Sequence, residues 1–335
     1  MAREGGSRTV NRRAFVANWV ALGVLLASNR GTAQHDASVA RIGYLSLRAG
    51  LGPLDHQFLD ALHALGYVDG RNLRIEYRFA SDQEQRLPAL AAELAQANVD
   101  VIVTAATPAV SAAMGATTTI PIVMQSAADP VGSGFVKDLG RPGGNLTGMT
   151  ILSSELTAKR LQLMQELVPR TRRVALLAFD NQFATPLLVA ATRAGTKQLG
   201  LDLTVRLIAG DDDLPRAFAT FEQAGAHALL VQTSPFAASR RKRLAELAAQ
   251  HRLPAMYESY AYVESGGLLA YGPDATEVFR RSASFVDKIL KGARAGDLPI
   301  EQPTKFELSV NLRAAKALGL AIPPSLLVRA NQVIS

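Results

Sequence analysis

Short apolar runs alternate along this chain with longer amphipathic stretches. "RIGYLSL" at 41–47 reads as a strand, followed by a loop through Gly50, Gly52 and Pro53 and a helical pattern from Leu54 to Leu65 that Gly66 closes. "LRIEYRF" at 73–79 is a second strand, Gln83 to Ala97 a second helix, and "VDVIVTA" at 99–105 a third strand. Helix and strand in strict alternation predict βαβ units on a mostly parallel sheet, an α/β fold.

The same grammar restarts near Arg173. "RRVALLA" at 172–178 echoes "ARIGYLS" at 40–46, "AHALLVQTSP" at 226–235 echoes "VDVIVTAATP" at 99–108, and "LPAMYES" at 253–259 echoes "IPIVMQS" at 120–126. Three ordered matches at a nearly constant offset of about 130 residues predict two related lobes, each the size of a small domain. Gly and Pro punctuate the pattern at "GRPGGNLTG" (140–148) and "GGLLAYGPD" (266–274), ahead of helical patterns from Ser154 to Leu167 and Ala275 to Lys291; "TKFELSV" (304–310) precedes a further short helix. One lobe is therefore expected over 41–146 plus 270–304 and the other over 150–265 plus 308–335. Hinge passages are expected near 145–150, 266–272 and 304–310. Such a hinge brings the carboxyl ends of both sheets to one cleft, where α/β proteins bind ligands.

The amino terminus changes the reading of charge. The whole chain is +7, but residues 1–33 carry five Arg against one Glu, leaving 31 basic and 28 acidic residues beyond them. That balance does not point to nucleic acid. Arg12 and Arg13 precede an apolar run from Ala14 to Ala27 and the small residues Gly31, Thr32 and Ala33. The pattern is that of a cleaved export signal over 1–33, and "NRRAFV" resembles a twin-arginine signal. A membrane-anchor helix is the alternative. The absence of Cys removes disulfides, thiol chemistry and a lipid acceptor, so a freely soluble mature protein is expected.

Candidate chemistry lies at strand ends. Thr107 before Pro108 and Ser234 before Pro235 each set a hydroxyl where an apolar strand gives way to a helix, suited to capping or to holding a ligand carboxylate beside the helix amides. Gln125, Ser126 and Asp129 precede Pro130; Asp129 can cap a helix starting there or face a ligand ammonium. Asp180 and Asn181 follow the matching strand of the second half, as turn residues or cleft polar groups. Tyr257, Tyr260 and Tyr271 offer aromatic faces to an apolar ligand part. The loop at Ser46, Leu47 and Arg48 fits no dinucleotide or Walker fingerprint. The five His stand apart, with no metal-ligand spacing, and no G-x-S-x-G elbow occurs, so neither enzyme, metal nor cofactor is expected.

Several strings carry a family resemblance: "IPIVMQSAADPVGSGFV" (120–136), "RPGGNLTG" (141–148), "LLAYGPD" (268–274), "VDKILKGARAGDLPIEQPTKFELSVNLRAAKALGL" (286–320) and "IPPSLLVRANQVI" (322–334). From Arg41 to Ile334 the chain resembles the periplasmic substrate-binding proteins of ABC transporters that include tryptophan- and tyrosine-binding components. The resemblance implies a type I periplasmic binding fold: two Rossmann-like lobes with parallel sheets, joined by a three-strand hinge, that close on a solute without catalysis. It implies a membrane permease as partner, a periplasmic location, and ligand contacts from Ser46, Leu47, Thr107, Gln125 to Asp129, and Asn181. Gln125 stands where the family commonly has a small or hydroxyl residue. The expected ligand is a small organic acid, either an aromatic amino acid or an aromatic or branched carboxylate, bound by a monomer. The rival readings are a sensing module that docks to a signalling receptor and a sugar-acid enzyme.

Overall fold

In the run Ala40–Ser46, strand β1, every side chain from Ile42 to Ser46 is buried, so the strand must be covered on both faces. The computed structural model describes residues 1–2, 39–151, 153–180 and 183–335. The export segment expected over 1–33 lies outside them save for its first two residues, and so does Asn181.

The first lobe continues with α1 (Pro53–Ala64), β2 (Leu73–Phe79), α2 (Leu87–Gln96) behind a 3₁₀ turn at Glu84–Arg86, β3 (Val101–Ala105), α3 (Thr107–Ala116), β4 (Ile122–Ala127) and β5 (Leu146–Thr150). The sheet runs β2-β1-β3-β4-β5, and every pairing in it is parallel. One face packs Leu45, Ile102 and Met124 with Leu90, Leu94 and Val110 of α2 and α3. The other packs Ile42, Tyr44 and Val103 with Phe58 and Leu62 of α1.

The second lobe holds α4 (Thr157–Leu167), β6 (Arg173–Phe179), α5 (Ala184–Gln198), β7 (Asp202–Ile208), α6 (Asp213–Gln223), β8 (Ala228–Val231), α7 (Pro235–Ser239), α8 (Arg241–Gln250), β9 (Ala255–Tyr257), α9 (Tyr260–Glu264) and β10 (Leu269–Pro273). Helix α10 (Ala275–Leu290) returns to the first lobe, setting Phe285 and Val286 beside Phe58 in its core. The chain ends with β11 (Phe306–Asn311), α11 (Leu312–Ala317), α12 (Pro324–Arg329) and β12 (Gln332–Ile334). The second sheet runs β12-β11-β10-β9-β8-β6-β7. Its β7-β6-β8-β9-β10 part repeats the order of the first sheet, and the three pairs of similar strings fall on β1 and β6, β3 and β8, and β4 and β9.

The chain passes between lobes after Thr150, after Pro273 and before Phe306. These passages lie side by side: Thr150 N donates to Glu301 O at 3.0 Å and Asp274 N to Lys305 O at 3.0 Å. Residues 269–273 remain in the second sheet, parallel to β9 and antiparallel to β11, so the return expected at 270 begins at Asp274. Gly272 permits this, because a Cβ there would stand 1.9 Å from the Glu258 carbonyl oxygen.

Candidate binding site

The carboxyl ends of β1, β3 and β4 form one wall of a cleft. Ala106, between β3 and α3, has φ 71° and ψ 145°, a conformation that favours glycine. It is held there by its amide, which donates to Ser126 O at 2.7 Å, and by its carbonyl, which accepts from Ala109 N and Val110 N. Pro108 has no N–H and Ala109 N is already engaged, so the turn leaves the Thr107 amide as the donor this helix start can offer an anion. Thr107 is the first helical residue rather than the cap, because Ala106 takes the cap position. Its hydroxyl accepts instead from Ala128 N at 3.3 Å, which ties the start of α3 to the loop after β4.

In that loop Ser126 and Asp129 are half-buried. No helix starts at Pro130; the Asp129 carboxylate accepts from Gly132 N at 2.8 Å and closes a turn that ends in Gly134 with φ 75°. Ser46 is buried, its hydroxyl accepting from Arg48 N at 3.2 Å. Leu47 packs inward with Ala80 and Leu87 and presents almost no surface. Gln125 is wholly buried, with its amide oxygen 2.8 Å from the Tyr44 hydroxyl.

The opposite wall comes from the second sheet. Asp180 is exposed at the end of β6. Ser234 caps α7, accepting from Ala237 N at 3.0 Å. Tyr260, at the start of α9, is half-buried. Tyr257 is fully buried, its ring stacked on Tyr262 with centroids 5.0 Å apart, because the alternation along β9 turns Ala255 and Tyr257 into the core with Phe218 and Phe221. It therefore presents no surface to the cleft. Tyr271 stacks on Phe306 at 6.3 Å beside the hinge.

Two charged arrangements were not expected from the sequence. In the first, Arg160 of α4 is 3% exposed, and its Nε donates to Tyr271 O at 2.8 Å and its Nη1 to Ser153 O at 2.9 Å. Glu258, at the end of β9, lies 3.4 Å from Nη1 and accepts from the Ser153 hydroxyl at 2.8 Å. Burial lowers the Arg160 pKa and the Glu258 charge opposes that shift. The pair joins the end of β9 to the segments on which the first two passages are anchored. The second arrangement links Arg48, Asp55 and Tyr44 in the first lobe. The signal available in each case was a charged residue on an apolar stripe: Arg160 with Met164 and Leu167, Asp55 with Phe58 and Leu62.

The two walls meet. Phe135 of the first lobe and Phe183 of the second lie with ring centroids 5.4 Å apart. On the far side from the hinge, Arg240 is held by Asp211, with Nη2 to Oδ2 at 2.8 Å, and is further stabilised in its charged form by Asp82 of the first lobe. Glu84 has its pKa raised, first by partial burial and second by the Asp180 carboxylate opposite. The ring pair is a direct contact between the lobes, and the Asp82–Arg240 and Asp180–Glu84 charges act across the gap beside it. Among the described residues no His, Cys, Asp or Glu group is arranged to hold a metal ion, and no helix is long and apolar enough to cross a membrane.

Two α/β lobes that share one order over five parallel strands, joined by three adjacent passages, define a type I periplasmic binding protein. Residues 51–334 match the family described as ABC transporter substrate binding protein. The chain belongs to that family, and it serves as the solute-binding component of an ABC importer whose partner is a membrane permease. Fold and family point to a binding protein rather than an enzyme. It is similar to a conserved domain protein of Vibrio cholerae (27% identity, TM-score 0.83, 88% of this chain and 99% of that one). It is also similar to a Streptococcus pneumonia ABC domain in complex with L-Trp (25% identity, TM-score 0.81, 89% of this chain and 100% of that one). A tyrosine-binding protein of Clostridioides difficile is 26% identical over 263 residues, 78% of this chain and 75% of that protein.

Proposed function

We propose that the chain captures a small organic acid outside the inner membrane, with an aromatic amino acid as the leading ligand and an aromatic or branched carboxylate as its closest competitor. The observation that carries this is the strained turn at Ala106, which sets the Thr107 amide, at the start of a ten-residue helix, beside the carboxyl ends of β3 and β4. Relatives named for tyrosine binding and bound to L-Trp support the aromatic part of the reading. Contacts to the carboxylate are assigned to the start of α3 at Thr107 and to the Ser46 loop. An ammonium, where the ligand has one, is assigned to Asp129 or Asp180, and polar edges to Ser126, Asn181 and Ser234. Tyr260 supplies the aromatic surface, with Tyr271 behind it at the hinge. Arg12 and Arg13 ahead of the apolar run support export by a cleaved signal.

A thermal-shift screen of the protein against amino acids, aromatic acids, aliphatic acids and sugars tests this, because a ligand selective for the folded state raises the melting temperature. A rise with L-tyrosine, L-tryptophan or an aromatic acid is expected. A rise with neutral sugars and none with any carboxylate would contradict it.

A further inference from the structure

Asp55 has no exposed surface, and a carboxylate withdrawn from water costs several kcal/mol unless its charge and lone pairs are met. Here all are met. The Tyr44 hydroxyl and the Arg48 Nη2 both bond it, and Gly52 N donates to it at 2.6 Å. Tyr44, also wholly buried, reaches on to Gln125 at the end of β4, 2.8 Å away. A helix start and two strand ends are thus tied together below the surface, and the ties converge on one cation that is not buried. The Arg48 side chain keeps 34% of its surface exposed.

Arg48 uses only Nη2. Its Nε and Nη1 bond no acceptor among the described residues, which leaves three of the five guanidinium N–H groups unengaged. Gly52 leaves room for this head, since a Cβ there would stand 3.3 Å from Nη1. The register Leu45↔Thr104 brings the loop that carries Arg48 beside the start of α3. Asp82 N donates to Leu47 O at 2.7 Å, and Asp82 is the residue that acts on Arg240 from across the cleft. The loop therefore stands at the lip of the closed cleft. A purely structural tie between β1 and α1 is already made by Gly52 N and Tyr44, and an uncharged pair would make it without a buried ion.

We propose that Arg48 recognises the carboxylate of the solute and that Asp55, braced by Tyr44, is its positioning residue. The assignment rests on the reading that the solute carries a carboxylate. With Nη2 fixed by Asp55, Nε–H and the Nη1 N–H groups are left to donate charge-assisted hydrogen bonds to a carboxylate, from a planar head held in one orientation that a freely turning Lys ammonium does not reproduce.

The test is calorimetric titration of the wild-type chain, Arg48→Gln, Arg48→Lys, Asp55→Asn and Tyr44→Phe with L-tyrosine, L-tryptophan and their carboxamides. The wild type is expected to prefer the acids. Arg48→Gln is expected to lose about 10- to 100-fold for the acids, the range of charge-assisted hydrogen bonds, and less than about 3-fold for the amides. Arg48→Lys should fall between. Asp55→Asn and the milder Tyr44→Phe should narrow the preference for acid over amide; Arg48→Gln, a change at a part-exposed side chain, decides the matter where either of these fails to fold. Equal affinity of Arg48→Gln and wild type for the acids, or equal loss for acids and amides, overturns the assignment and leaves the proposed function standing. A wild type that binds no carboxylate overturns both.

Discussion

The ring of Phe135, in the loop after β4, packs against the ring of Phe183 at the foot of α5, with 5.4 Å between centroids and 53° between planes. The two belong to different lobes, so the contact exists only when the cleft is shut. Aromatic pairs of this kind contribute about 0.5–1.5 kcal/mol beyond area burial. Phe135→Ala is therefore expected to weaken solute binding about 2- to 10-fold, since closure loses that contribution. Calorimetry on the variant checks this, and unaltered affinity would show that closure does not use the pair.

Glu84 and Asp180 carry like charge on opposite lobes, and the Glu84 pKa is raised first by desolvation and second by Asp180, the part of the shift that depends on the lobes being together. A raised acid pKa means the closed form holds the proton more tightly. Closure is then favoured below the raised pKa and opposed as pH climbs through it. Affinity should rise as pH falls from neutral toward the ordinary Glu range of about 4.3. In Glu84→Gln that slope should be flatter and the affinity at neutral pH higher. Identical pH profiles for the two proteins would exclude the mechanism.

Arg160 and Glu258 are both buried, so removing one partner strands the other. Arg160→Ala is expected to destabilise by about 3–5 kcal/mol in urea unfolding, whereas Arg160→Met combined with Glu258→Gln should recover much of that loss. A single variant as stable as wild type would mean that the pair does not anchor the hinge segments.

The strands were legible because their burial on both faces leaves a plain record, as in "VALLA" at 174–178, and because strings such as "RRVALLA" and "ARIGYLS" occupy equivalent strands. Leu269–Pro273 misled because Gly266, Gly267 and Gly272 read as a flexible link, whereas Gly272 serves the close approach of β10 to Glu258. Asp129 before Pro130 carried the signature of a helix start, but the glycines that follow favour a closed turn. Tyr257 looked like a cleft residue because strand position alone does not say to which face a side chain turns. Arg48 joins Asp55 through a loop, and Phe135 meets Phe183 only when two lobes close. Neither relation has a periodic signal, because each depends on how separately folded elements come together.

The proposed function requires the two lobes to close on a carboxylate solute. The chain has no cysteine, so Gln83→Cys and Asp212→Cys place two spin labels at exposed positions on opposite lips of the cleft, away from the hinge. Their separation by pulsed dipolar spectroscopy should shift to a shorter, narrower distribution on addition of L-tyrosine or L-tryptophan and stay unchanged with a neutral sugar. A distribution that no carboxylate alters, at concentrations that raise the melting temperature, would contradict the account.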